Sequence, residues 1–600
     1  MTAAGVEVTA RPAGGNAAWL RALALTAPIV ERPRRVLSTV IDELAERAGE
    51  APALLSDRES LSYRALAERS NRYARWALAH EVAPGDTVCL LMPNRPEYLA
   101  IWLGLTRVGA VVALLNTHVA GRSLAHCINL VEPRHVIVAA ELVGSLIAAL
   151  PDLAGAATIW LHGAGPGDFP RIDPEIETCA GAPLEPSEHR PPAIGDRALY
   201  IYTSGTTGLP KAARVSHFRL MQWSHWFAGM LDVRAEDRMY NCLPMYHSVG
   251  GVLATGAALV GGGSVVVREK FSAREFWSDV VRWDCTLFQY IGELCRYLLH
   301  AEPTPAETEH RIRVACGNGL KAEVWAAFQR RFAIPRVLEF YASTEGNVSL
   351  FNVDGKPGAV GRVPPFLAHR FPAALVRFDA AAEAPARDAQ GRCIRCATDE
   401  IGEALGRIQG LADHGRAFEG YTSREATEQK ILRDVFEPGD AWFRTGDLMR
   451  QDASGYYYFV DRIGETFRWK GENVATSEVA AALTAFPAVR EAIVYGVAIP
   501  GADGRAGMAA LVAEAGLDLA ALRAHLVDRL PGYARPVFVR IRPELDVTAT
   551  FKYTKHELVR QGYDPAAVAD TIYVDHPAHR AFVRLDPALH ARIQTGDIRL

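Results

Sequence analysis

Lysine is scarce: eight occur in the 600 residues, so arginine fills nearly all of the 65 basic positions and each lysine marks a place for inspection. Cysteine is scarce as well, with nine residues, and a chain of this length builds its core by burial instead of disulfides, which favours a reducing compartment. Cys393 and Cys396 form a lone CxxC. No second pair, histidine cluster or thioredoxin-like βαβ pattern accompanies them, and they are read as structural, not metal-binding or redox-active. Long hydrophobic runs are missing. Ala17–Val30 is broken by Arg21 and Pro28, Ile101–Ala120 by Arg107, and Met239–Val267 by Pro244, His247 and six glycines. A spanning helix needs about 20 predominantly apolar residues. No signal peptide, anchor or spanning helix is therefore expected, and peripheral association with a membrane through one amphipathic face stays open. Neither sign of charge dominates: 69 acids against 65 bases leave −4, so no general field draws the chain to nucleic acid or an anionic bilayer. Repeats and low-complexity tracts are absent.

What is present is an ordinary globular composition, 49% hydrophobic and 22% charged. The length is well beyond the roughly 250–300 residues at which one core stops growing, so at least two packed units are expected. From Asp42 to Val136, helical stretches such as Tyr63–His80 alternate with short apolar runs such as Val88–Met92 and Ala110–Leu115, the α/β pattern of a largely parallel sheet. Gly163–Gly195, dense in proline, glycine and acids, reads as a surface connection. A second α/β stretch runs from Leu199 to about Glu345, and Ala380–Arg392 reads as a polar insertion or hairpin loop. Tyr456–Val460 then reads as a strand and Asp461–Val474 as a polar, glycine-containing turn region. The domain boundary is placed there, giving 1–461 and 462–600, the second with the size of one small domain.

The clearest chemistry lies in Tyr200-Ile201-Tyr202-Thr203-Ser204-Gly205-Thr206-Thr207-Gly208-Leu209-Pro210-Lys211, an apolar strand opening into hydroxyls, glycines and a lysine. Glycines let backbone N–H groups converge on an anion, the hydroxyls add donors, and the lysine brings a point charge on a long stem, which together suit phosphate. The spacing is not that of a Walker A loop, because Lys211 is followed by alanine. Ala212–Val215 reads as a second strand, so a hairpin loop takes the place of the helix N-terminus used by P-loop enzymes.

This loop resembles the signature of the adenylate-forming superfamily of acyl-CoA synthetases, luciferases and adenylation domains. Three further segments resemble that superfamily in order. Leu243-Pro244-Met245-Tyr246-His247-Ser248 is similar to its aromatic/histidine motif, and Arg444-Thr445-Gly446-Asp447 to its ribose motif. Tyr341-Ala342-Ser343-Thr344-Glu345 is similar to its Tyr-Gly-x-Thr-Glu motif, with Ala342 in place of the usual glycine. Phe288–Leu299, Asp461–Val474, Thr550-Phe551-Lys552 and Gly562-Tyr563-Asp564-Pro565 resemble the fatty acid transport protein branch, also called very-long-chain acyl-CoA synthetases. The apolar spacing of Phe288–Leu299 alone would equally suit a plain amphipathic core helix.

The resemblance implies an α/β fold: a large N-terminal adenylate-forming domain of several subdomains, with a small mobile α+β C-terminal domain turning on a hinge near 462–464. It implies ATP, Mg²⁺ and coenzyme A as cofactor and co-substrates, and two half-reactions through an acyl-adenylate. Carried over residue by residue, Thr203, Ser204, Gly205, Thr206, Thr207, Gly208 and Lys211 would hold the β- and γ-phosphates. Thr344 would bind the α-phosphate and Glu345 would ligate Mg²⁺, an ion that takes oxygen donors. Tyr341 would stack on adenine against Gly317, Asn318 and Gly319, while Asp447 would accept from the ribose hydroxyls and Arg462 would contact the nucleotide. Gly471 would line the pantetheine channel. Lys552 matches the lysine of the adenylation step, with Lys555 close enough to compete for that role. His247 reads either as a group near the reacting carboxylate or as a satisfied core histidine.

The chain is thus expected to be a cytoplasmic fatty acyl-CoA synthetase for long or very long acids. Its rivals are a ligase for another bulky apolar acid, such as a sterol side-chain or bile acid, and fatty-acid capture or transport without turnover. The 48 residues after Lys552 are too few for a carrier domain, which disfavours a carrier-loading module.

Overall fold

The computed structural model describes residues 15–203, 210–379, 382, 384–409, 418–463, 466–470, 472–500, 502, 504–546, 555–598 and 600. The chain divides into two compact units, Met1–Phe371 with Arg407–Leu432, and Pro372–Gly406 with Arg433–Leu600.

In the first unit, β1 (Pro52–Leu55) and β2 (Ser60–Ser62) form a hairpin that leads into the helix Tyr63–Ala79, whose first turn is capped by the Ser62 side chain accepting from the Ala65 N–H. One sheet follows from β3 (Thr87–Leu91), β4 (Val111–Leu114), β5 (His135–Ala139), β6 (Thr158–His162), β7 (Arg197–Thr203) and β8 (Lys211–Ser216), in the order β6-β5-β3-β4-β7-β8. All pairings are parallel except β7 with β8. Strands β3, β4 and β5 are buried along their whole length, as the continuous apolar runs of a sheet covered on both faces require. Between β6 and β7 the proline- and glycine-rich segment carries one short helix, Asp173–Thr178, and otherwise runs as irregular loop.

The second sheet of this unit contains β9 (Arg238–Asn241), β10 (Ser264–Val267), β11 (Leu287–Ile291), β12 (Val314–Asn318), β13 (Val337–Ala342), β14 (Ser349–Asn352) and β15 (Gly361–Arg362). The order is β15-β14-β13-β12-β11-β9-β10-β1-β2, parallel from β13 through β1. The Phe288–Leu299 segment is not one amphipathic helix: β11 occupies its first part, and the helix Gly292–His300 begins at the strand's end. The reason is tertiary. Phe288 and Tyr290 project into one apolar cluster, and β9 and β12 satisfy the backbone on both sides.

In the second unit, Ala373–Asp379 pairs antiparallel with residues 402–406 and with the short Ala384–Pro385. Ala441–Gln451 pairs antiparallel with Tyr456–Arg462. The strand expected at Tyr456–Val460 thus runs two residues further, and Asp461–Val474 is less irregular than its polar text suggests, since Phe467–Trp469 and Glu472–Val474 form a hairpin. Beyond it a five-stranded sheet of Val489–Val497, Ala506–Ala513, Phe538–Ile541, Thr571–His576 and Ala581–Arg584 encloses a core with Leu483, Met508, Leu522 and Phe538. All nine cysteines are free thiols, Cys393 buried and Cys396 partly so. Among the described residues no helix is long and apolar enough to cross a membrane.

Candidate active site

The first unit brings Thr203, Gly317, Asn318 and Tyr341 to the carboxyl ends of its strands, where parallel α/β sheets bind ligands. Thr203 ends β7 and stands opposite Lys211, which opens β8, so the phosphate-type loop connects an antiparallel pair as the sequence suggested. Ser204, Gly205, Thr206, Thr207 and Gly208 lie outside the described residues.

Gly317 and Asn318 end β12, and Gly319 follows with φ +81°, a conformation that favours glycine. A Cβ on Gly317 would lie 2.2 Å from the Tyr290 carbonyl oxygen, so the small residue permits the close approach of β11. Tyr341 lies near the end of the adjacent β13, half-buried, and the methyl of Ala342 is exposed at the strand's last position. Between them, Glu339 is buried beside Gly317 in register. It receives the Tyr290 hydroxyl at 2.5 Å and the Leu320 N–H at 3.1 Å. Burial outweighs these bonds, which favour the charged form, and pushes its carboxyl up to about 8.

Thr344 and Glu345 follow β13 on a loop held from behind by Arg219. That residue lies on the helix His217–Leu231 and is 6% exposed. Its guanidinium donates to the carbonyl oxygens of Thr344 (2.6 Å), Gly346 (3.0 Å) and Glu345 (3.3 Å) and pairs with Glu419 at 3.3 Å. Glu419 also accepts from the Ser216 N–H (2.8 Å) and hydroxyl (2.6 Å). On the loop's outer side, the Thr344 and Ser248 hydroxyls are 3.1 Å apart. His247 precedes Ser248, half-buried, its ring 4.6 Å from Tyr246, with its carbonyl accepting from Gly251 at 2.7 Å as the π-helix Val249–Ala254 begins. A short π-helical turn is a frequent companion of functional sites.

Tyr421 joins these parts. Its segment runs beside β8, where the Arg214 N–H donates to Gly420 (3.0 Å) and the Thr422 N–H to Ala212 (3.1 Å). The Tyr421 hydroxyl donates to Glu345 Oε1 at 2.8 Å, and Lys211 Nζ sits 5.6 Å from the centre of its ring. Burial first, then the Glu345 charge, pushes this phenol far above its ordinary range, so it stays a donor at any physiological pH.

The second unit holds Asp447 and Arg462. They stand opposite each other in an antiparallel pair, with Arg462 Nε 3.3 Å from Asp447 Oδ1, the carboxylate buried and the arginine exposed. Lys555 Nζ donates to Thr476 Oγ1 at 3.0 Å, and Asp461 accepts from the Thr476 N–H at 2.6 Å. Gly464, Gly471 and Lys552 lie outside the described residues.

Residues 41–370 match the AMP-binding enzyme family, and residues 478–552 match the AMP-binding enzyme C-terminal domain. Long-chain fatty acid transport protein 1 of Mus musculus is 39% identical over 582 residues, spanning 95% of this chain and 90% of that protein. Long-chain fatty acid transport protein 3 of Homo sapiens is 42% identical over 526 residues, spanning 86% and 76%. The chain belongs to the AMP-binding enzymes, in the fatty acid transport protein branch.

The fold agrees with this membership. An anthranilate CoA ligase in complex with anthranoyl-AMP superposes with a TM-score of 0.75 at 20% identity, covering 89% of this chain and 98% of that one. ATP-bound MatB from Rhodopseudomonas palustris gives 0.72 at 24%, covering 87% and 98%. The chain therefore has the adenylate-forming fold, a large N-terminal domain followed by a small C-terminal one.

This AMP-binding enzyme also has site neighbours that the sequence reading passed over. Arg219, Glu419 and Tyr421 touch the Thr344–Glu345 loop or the residues holding it. Arg219 left one signal: it is the only Lys, Arg, Asp or Glu in the run His217–Leu231. Among the described residues, no three His, Cys, Asp or Glu side chains converge as a metal cage. Glu345 and the hydroxyls of Thr344 and Ser248 are hard oxygen donors, which fit Mg²⁺ accompanied by phosphate oxygens and water.

Proposed function

We propose that this protein is an ATP-dependent fatty acyl-CoA synthetase acting on long or very long chain acids through an acyl-adenylate. The observation that carries the proposal is the convergence of Lys211, Thr344 and Glu345 on one short segment of the first unit through Ser248 and Tyr421, beside the Gly317–Gly319 wall. The transport-protein relatives, whose printed names refer to long-chain fatty acids, support the substrate class. CoA ligases of the same fold support the reaction type.

A carboxylate resists thiol attack because its leaving group would be oxide. In the first half-reaction the acid's carboxylate oxygen attacks the α-phosphorus of ATP, forming acyl-adenylate as pyrophosphate leaves. In the second, the thiol of coenzyme A attacks the acyl carbon, and AMP leaves with the carboxyl oxygen. Tyr341 stacks on adenine against Gly317–Gly319, Asp447 accepts from the ribose and Arg462 contacts the nucleotide. Thr203–Lys211 holds the outer phosphates, and Thr344 donates to the α-phosphate, where charge builds. Mg²⁺ held by Glu345 supplies neutralisation of phosphate charge. Lys552 serves the adenylation step, His247 lies near the reacting carboxylate, and Gly471 lines the path for pantetheine. The C-terminal domain turns about 462–464 between the two steps. The reading places the enzyme in the cytoplasm, where ATP and coenzyme A are available.

The test is AMP release from ATP and Mg²⁺ across acids from octanoate to lignocerate, with sterol acids included, each with and without coenzyme A. AMP formation requiring both acid and coenzyme A, and fastest with the longer unbranched acids, is expected. A preference for sterol acids would move the substrate class, and fatty-acid binding with no AMP from any acid would favour capture without turnover.

A further inference from the structure

Tyr421 has no part in the steps above, yet it is the side chain through which Lys211 and Glu345 meet. Its hydroxyl donates to Glu345 Oε1 at 2.8 Å, while its ring lies 5.6 Å from Lys211 Nζ. Its backbone has little freedom. Gly420 and Thr422 on either side are bonded to β8, at Arg214 and Ala212. Glu419 is gripped by Ser216 and by Arg219, the same arginine that holds the carbonyls of Thr344, Glu345 and Gly346. The phenol and the carboxylate it meets are thus fixed to one frame, the β8 edge and the helix His217–Leu231.

We propose that Tyr421 is a positioning residue that couples the phosphate-binding strand pair to the metal carboxylate, by committing one oxygen of Glu345 to its hydroxyl and so assigning the other to the divalent cation of a nucleotide. A carboxylate without such a partner rotates among several orientations, and each cation bound must first stop that motion; a hydrogen bond from a fixed donor removes the freedom beforehand. Because Gly420 and Thr422 are bonded to β8, the position of this hydroxyl follows that strand, so phosphate and cation are recognised together. This inference rests on the reading of Glu345 as the metal carboxylate.

Tyr421→Phe tests it, because the ring and its contact with Lys211 remain and only the hydroxyl is lost. Equilibrium binding of ATP to the full chain is measured with Mg²⁺ and with EDTA, and AMP binding in EDTA serves as the control. Electron paramagnetic resonance of Mn²⁺ counts bound cation directly, without turnover. Tyr421→Phe is expected to weaken ATP binding about tenfold with Mg²⁺, to lower Mn²⁺ occupancy in parallel, and to leave metal-free ATP and AMP binding unchanged. In a Glu345→Gln background the same change should add less than about twofold. Unchanged metal-dependent binding in Tyr421→Phe, or equal weakening of ATP with and without metal, would overturn the coupling. If Glu345→Gln keeps the full Mg²⁺ enhancement, the metal assignment falls and the coupling with it. If that enhancement is lost in Glu345→Gln but kept in Tyr421→Phe, the coupling alone falls.

Discussion

Glu339 shows how a single buried group ties stability to pH beside Gly317. Its ordinary value is 4.5 and burial raises it to about 8 in the folded chain. Between those values the native state keeps a proton that the unfolded chain has released. Its stabilising contribution is therefore complete below about 4.5 and lost as pH rises through about 8. Glu339→Gln stays neutral throughout, so the wild-type Tm should fall relative to that of the variant from pH 5 to pH 8; a constant difference would contradict the assignment. Lys552 makes a second prediction. Lys552→Ala should slow acyl-adenylate formation by at least about a hundredfold and leave thioester formation from supplied acyl-adenylate largely intact. Lys555→Ala should spare both, since that amine already serves Thr476 at 3.0 Å; the opposite pattern in half-reaction assays would transfer the role to Lys555. The strings around Lys211 and Glu345 were visible in the sequence because their spacing is local. Tyr421 was not, because its importance lies in a contact made 76 residues away from Glu345.

At the scale of elements, the Gly317–Gly319 wall depends on a close approach of backbones. A Cβ on Gly292, at the junction of β11 and its helix, would fall 1.8 Å from the Gly319 carbonyl oxygen. Gly292→Ala should therefore cost about 1–3 kcal/mol and weaken AMP binding by displacing the loop, as checked by thermal melts and equilibrium binding; wild-type behaviour in both would show that the loop has room. The β7–β8 hairpin was legible because an apolar strand, a glycine-rich loop and a second strand follow one another in the text. The character of Leu287–Ile291 was not, because a short apolar run suits helix or strand alike until its neighbours are known. The Phe467–Trp469 and Glu472–Val474 hairpin was hidden for a related reason: polar, glycine-containing text reads as turn unless packing decides otherwise.

At the scale of the whole molecule, the ordered motifs between Thr203 and Lys552 revealed the family, and composition revealed that more than one unit was needed. The second unit as it clusters in space combines Pro372–Gly406 with Arg433–Leu600, a division no linear reading of composition could supply, because strands far apart in sequence share sheets. The expected joint at 462–464 lies at the end of the strand Tyr456–Arg462. If rotation there separates the half-reactions, chemistry in the first must be complete before coenzyme A is engaged, and the acid must leave an oxygen on AMP. The most direct measurement is therefore oxygen transfer: a long-chain acid labelled with heavy oxygen in both carboxyl positions is turned over with ATP, Mg²⁺ and coenzyme A, and the AMP is weighed by mass spectrometry. One heavy oxygen in each AMP is the predicted result. AMP without label would contradict an acyl-adenylate and with it the function proposed for this chain.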